Sequence, residues 1–297
     1  MKQLKIGILD NGFISEGSNA ISYIQNLMDE ALLLDDLKFS RIWVTEHHGE
    51  RNAWHNPEVL VTLLAGTTKK IRIGVAGVLL PIHSPLYVAQ CYKLLNNLFD
   101  DRIDLGIAKS LPGPDLMHYF TNPESGGPLN SGHYDRINDI LDLYKKNSKV
   151  ITAPHGGTPP KIWILGSSPN STAFSIKNNV SLCFSLCHTS GGKVDGTEIA
   201  KYKEEFFKTN EYYPKINLCL SLMSSESKTK LESMQKRLVN VEGIQPEVNL
   251  KGDFCFVRDK LIEFRERYHV DEFTIVNFID KKRDKFLFYE KISQLIN

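Results

Sequence analysis

Strand-length apolar runs alternate with helix-length amphipathic stretches from one end of this 297-residue chain to the other. That alternation predicts an α/β fold of the closed (β/α)8, or TIM-barrel, type. Three observations carry the prediction. Eight apolar runs recur, and helical patterns separate them. The run Ile71–Leu79 is almost continuously apolar, as a parallel strand covered on both faces must be. The chain contains no GxGxxG turn, which an open doubly wound sheet binding a dinucleotide would usually show. A single domain over residues 1–297 is expected, because barrels of about 250 residues routinely form one.

The first strand is Leu4–Asp10, and a helix follows Ser18 and Asn19 with Ile24, Met28, Ala31 and Leu34 on one stripe. The second strand is Arg41–Thr45. The next helix starts at Asn56-Pro57-Glu58, a capping residue followed by proline at the first helical position. Ile71–Leu79 is the third strand. Ser84-Pro85 repeats the capping device ahead of a stripe of Val88, Tyr92, Leu95 and Phe99. The fourth strand is Arg102–Ile107, with a helix over Ser131–Lys146. Then come strands at Ile162–Leu165, Ser181–Ser185, Ile216–Met223 and Glu272–Phe278. The helices of this half start at Ser168-Pro169 and cover Val194–Lys208, Glu226–Val239, Val257–Tyr268 and Arg283–Ile296. Leu111–Asn130 is rich in proline and glycine and reads as a long loop on the active-site side.

Charge and composition exclude several classes. A formal net charge of +1 gives no electrostatic case for nucleic acid or an anionic membrane surface. No run of about 18 apolar residues is present, so no membrane span is expected. Five cysteines without a CxxC pair, and an N-terminus without a signal-like apolar core, fit a reduced, cytoplasmic setting.

In a parallel barrel, functional groups project from the C-terminal strand ends. That rule selects Asp10, Asn11, Glu46, His47, His48, His83, Lys109, Ser110, Gly166, Ser167, Ser168, Cys187 and His188. Successive strand residues point to opposite sides, so one of His47 and His48 faces the barrel mouth. Such a pair suits proton transfer, metal binding or packing. Gly166-Ser167-Ser168-Pro169 opens a helix whose N–H groups suit a phosphate, and Lys109 on the adjacent strand supplies charge. Cys183, Cys187 and His188 lack an evident fourth ligand and read as buried thiols beside a loop histidine; no metal is expected.

Several segments together resemble the luciferase-like flavin-dependent monooxygenases, in particular their small single-component type. They are Ile42–His48, Asn56–Leu60, Ile71–Leu86, Arg102–Gly106, Ile162–Ser168 and Val270–Phe273, in family order over essentially the whole chain. The resemblance implies a luciferase-like barrel binding reduced FMN or, in some branches, the deazaflavin F420. It implies His47 as acid/base group with His48 and Glu46 in support. It also implies a non-proline cis peptide at Ala76-Gly77 against the flavin ring, and a phosphate site at Lys109, Gly166, Ser167 and Ser168. The family usually has arginine where this chain has Lys109, which pairs with phosphate only as a point charge. The expected reaction is oxidation of a small organic or peptide-derived molecule by reduced FMN and O2, with a separate flavin reductase and a homodimer formed through the second and third helices. Hydride transfer with F420, flavin binding without turnover, and a metal-dependent hydrolase using Asp10, Glu46, His47 and His48 stand as alternatives.

Overall fold

The periodic segments resolve, in a computed structural model, into nine strands and ten α-helices among the described residues, which are 4–14, 19–120, 132–166, 168–187, 196–239, 248–279 and 281–295. The order is β1 Lys5–Asp10, α1 Ala20–Asp36, β2 Arg41–Val44, α2 Pro57–Thr67, β3 Arg72–Leu79, a 3-10 turn Leu80–Ile82, α3 Pro85–Leu98, β4 Ile103–Ala108, α4 Pro114–Phe120, α5 His133–Leu143 and β5 Lys161–Leu165. There follow α6 Pro169–Asn178, β6 Ser181–Ser185, α7 Gly196–Asn210, β7 Asn217–Ser224, α8 Lys228–Val239, β8 Leu250–Gly252, α9 Phe254–Tyr268, β9 Glu272–Asn277 and α10 Lys282–Ser293. The strands run β6-β5-β4-β3-β2-β1-β9-β7-β8, and β6 also pairs with β7. Eight strands thereby close into the parallel barrel that the alternation predicts.

Two elements depart from expectation. β8 is only three residues long, too short to carry a period. It pairs with Leu222–Ser224 of β7, beyond the stretch Asn217–Cys219 that pairs with β6. Pro114–Phe120, expected as loop, is the helix α4; the prolines and glycines around it hide its period. The rest of that expected loop, 121–130, lies outside the described residues. The Pro-at-start device holds for α2, α3 and α6. Ser84 and Ser168 accept the N–H of Tyr87 and Ser171 as true caps, whereas the Asn56 side chain makes no cap bond.

The chain divides into two compact units. One comprises Asn11–Met28 and Trp43–Ile164. Its core holds Trp43 edge-on to Trp163, ring centroids 5.8 Å apart. Asp104, fully buried, takes both arms of Arg72 at 2.7 and 2.9 Å and the Trp163 indole N–H at 3.3 Å. A buried carboxylate is tolerable only with such a donor set. Gly74 is obligatory here, since a Cβ would lie 2.4 Å from the Trp43 ring. The other unit comprises Met1–Asp10, Asp29–Ile42 and Leu165–Asn297. There Glu272 receives Arg41 at 2.7 and 3.0 Å and the Ser40 hydroxyl at 2.6 Å. β1 and β7 flank β9 in parallel register, Ile6 opposite Phe273 and Leu218 opposite Phe273.

Overpacking against a rigid ring costs about 1–3 kcal/mol. Gly74→Ala is expected to lower the urea unfolding midpoint by that amount; an unchanged midpoint would show that the Trp43 ring can yield.

Candidate active site

Beyond Val44 the chain leaves β2 through Thr45, Glu46, His47 and His48. The following loop is pinned to the segment after β1: Ala53 N–H donates to the Gly12 carbonyl at 2.8 Å and Ile14 N–H to that of Arg51 at 2.9 Å. The indole N–H of buried Trp54 donates to the Thr45 carbonyl at 2.9 Å. These bonds hold the end of β2 in one course, so side-chain direction there is set by the backbone.

Glu46 is the centre of the arrangement. Its carboxylate has no solvent exposure. Oε1 accepts from His48 Nε2 at 2.8 Å and from His83 Nε2 at 2.7 Å, and Oε2 accepts the Leu79 N–H at 2.8 Å. One side chain thus ties the end of β2 to the end of β3 and the turn after it. Burial by itself would raise the Glu46 pKa, but the His83 bond and charge, the Leu79 N–H and the His48 bond together hold it below the usual 4.5. Burial would lower His83, but Glu46 outweighs it and lifts His83 above the usual 6.5, with Glu58 adding and Arg136 opposing. Arg136 donates to the carbonyls of Leu80 and His83 and so fixes the turn that carries His83. His48 is packed against Phe120, centroids 4.9 Å apart, and His55, at 5.3 Å.

His47 takes the opposite course. It is exposed, with its ring stacked 5.7 Å from Phe13. The Ala76–Gly77 peptide is cis. Lys109 follows β4 and is exposed. Its charge, after burial, helps to lower the pKa of His133, whose Nδ1 is buried without a hydrogen-bond partner among the described residues. In the other unit, Gly166 has φ +131°, and Ser168 caps α6 while its hydroxyl lies 2.9 Å from that of Ser171. Ser167 and His188 lie outside the described residues. Cys183 donates to Asn217 Oδ1 at 3.0 Å and Cys187 to Asn249 Oδ1 at 3.6 Å. Among the described residues no group of three His, Cys, Asp or Glu is placed to hold a metal ion.

The strand-end rule brought Glu46, His48 and His83 into view but not their common bond, because Glu46 and His83 are 37 positions apart. Phe120, His55 and Arg136 carried no sequence signal as neighbours of this cluster.

With this geometry in place, the chain belongs to the luciferase-like monooxygenases: that family's model matches residues 4–223. YwcH of Bacillus subtilis strain 168 is 33% identical over 212 residues, 68% of this chain and 62% of YwcH. The N-acetyl-S-alkylcysteine monooxygenase of the same organism is 31% identical over 61% of this chain and 56% of its own length. The chain thus spans less than two thirds of these two relatives. Among solved structures, apo-MsnO8 superposes with a TM-score of 0.83 at 23% identity, covering 98% of both chains. The oxygenating constituent of 3,6-diketocamphane monooxygenase from Pseudomonas putida, solved with FMN, gives 0.72 at 15% identity over 99% of this chain and 98% of that one. An F420-dependent secondary alcohol dehydrogenase gives 0.67 at 10% over 99% of both. At these identities the structures establish the fold.

A lowered carboxylate contributes stability above its ordinary value and loses it as pH falls through the lowered one. A raised imidazole contributes below its ordinary value and loses it as pH rises through the raised one. The Glu46–His83 pair is therefore at full strength between the usual 4.5 and 6.5. Glu46→Gln is expected to destabilise most at about pH 6, with the gap narrowing in acid and in base; a gap independent of pH in urea melts would contradict the pairing.

Proposed function

We propose that this chain is a flavin-dependent monooxygenase that uses reduced FMN and O2 to oxidise a small organic or peptide-derived molecule. The observation that carries the reading is the grouping of exposed His47 with the Glu46–His48–His83 cluster at strand ends of a chain belonging to the luciferase-like monooxygenases. The FMN in one solved neighbour and the cysteine derivative named for one relative support it.

The residues present fit the cofactor. The Thr45 hydroxyl at the end of β2 is buried with no hydrogen-bond partner among the described residues, and so is His133 Nδ1 in the neighbourhood of Lys109. Such atoms suit a ligand that exchanges hydrogen bonds with them. Ala76 and Gly77 offer backbone for the flat face of the ring. Lys109 offers a positive charge to a phosphate, and Gly166, Ser167 and Ser168 are the further phosphate residues that the family resemblance implies. When bound, reduced flavin supplies the electrons for oxygen chemistry. His47, open to solvent, gives or takes a proton, while Glu46 and His48 keep the strand end in place. A separate flavin reductase supplies the reduced cofactor. The F420 of the alcohol dehydrogenase neighbour makes hydride transfer the second reading.

A homodimer through α2 and α3 accompanies this reading. Val59 and Leu63 on α2, and Tyr87, Leu94 and Leu98 on α3, are exposed apolar side chains on two helices in contact. Apolar patches of this kind mark association surfaces. Sedimentation equilibrium is expected to show a dimer that Leu94→Glu with Leu98→Glu converts to monomer; a monomeric parent would refute it.

The cofactor reading is tested by titration with photoreduced FMN and, in parallel, reduced F420. Saturable binding of reduced FMN, with protein-dependent oxygen transfer to a substrate, is expected. Preference for reduced F420 would favour hydride transfer, and binding without turnover would reduce the role to carriage. Lys109→Ala is expected to weaken reduced-FMN affinity about tenfold or more, the worth of a charge-assisted bond. His47→Ala should reduce turnover far more than binding; an equal loss of both would contradict its role.

A further inference from the structure

Glu46 Oε1 is the common acceptor for two imidazoles. An ionised carboxylate has no proton to give, so each Nε2 must be the donor. That fixes both rings with hydrogen on Nε2 and turns Nδ1 of each away from the carboxylate. Neither Nδ1 has a hydrogen-bond partner among the described residues. The two rings differ in surroundings. The His48 side chain is 7% exposed and lies between Phe120 and His55, whereas that of His83 is 25% exposed. A charged ring is better solvated at the second position. The groups facing His83 are Glu46 from the end of β2, Glu58 from α2 and Arg136 from α5. The two carboxylates outweigh the guanidinium, which is occupied with the Leu80 and His83 carbonyls.

We propose that His48, Glu46 and His83 form a proton-holding trio in which the exchangeable proton rests on His83, so that His48 keeps a lone pair on Nδ1 as a second proton acceptor besides His47. His83 is then a positioning residue, acting on His48 through Glu46. The use of that acceptor in turnover rests on the flavin reading; the arrangement of protons does not.

The test is long-range proton–nitrogen correlation NMR of the full-length protein, labelled with nitrogen-15 in histidine and free of flavin. His48 is expected with hydrogen on Nε2 and none on Nδ1, and His83 with a titration midpoint above the usual 6.5. His83→Gln keeps a donor toward Glu46 but carries no titratable proton, and in it the His48 nitrogen shifts are expected to move. Identical His48 nitrogen shifts in the parent and His83→Gln would overturn the proposal, as would a parent His48 with hydrogen on Nδ1. Should His83→Gln not fold, Glu46→Gln decides: the titration midpoint of His83 should fall by about one pH unit or more, and an unmoved midpoint overturns it. Failure of reduced FMN to bind would refute the flavin reading and leave these spectra as they are.

Discussion

Glu46 places a carboxylate with no solvent exposure between the ends of two barrel strands, and a charge in that position imposes conditions on everything around it. Shutting an ion away from water costs several kcal/mol unless donors replace the water lost. Here the donors come from the Leu79 backbone, from His48 two residues along the chain, and from His83 on the turn after β3. Each donor is in turn held by something else. The Arg136 side chain grips the turn, and Trp54 and the bridge to Gly12–Ile14 hold the exit from β2. The carboxylate therefore sets the course of the backbone and holds the His83 pKa above its usual value.

A second consequence is division of labour between adjacent histidines. His47 and His48, just beyond the end of β2, lie in different surroundings. One is drawn to Glu46 and screened by rings, and the other is left exposed beside Phe13. Under the proposed reading, the exposed ring trades protons with solvent while the sheltered one keeps a fixed tautomer. Neighbouring residues of the same type can thus serve different ends because the backbone gives them different surroundings.

Much of this fold was legible in the sequence because most of its strands are long enough to show as apolar runs and several of its helices begin with proline in the first turn. Ser181–Ser185 coincides in both readings, and Pro57, Pro85 and Pro169 mark true helix starts. β8 was not legible, since three residues owe their strand geometry to β7 rather than to their own pattern. α4 was hidden by its flanking prolines and glycines. For the site, motif position picked out Glu46, His48 and His83 as residues, yet their meeting at one oxygen depends on the close approach of β2 and β3. No local pattern encodes that approach. The buried Nδ1 of His133, without a hydrogen-bond partner among the described residues, likewise carries no local sequence signal.

The central claim, that the Glu46 cluster and the Ala76–Gly77 peptide belong to a flavin site, is tested most directly by a crystal structure of the protein with FMN. The account predicts the flavin ring against Ala76–Gly77, with Glu46 still bonded to His48 and His83. A flavin bound away from β3, or a metal ion held by Glu46 and these histidines, would contradict it.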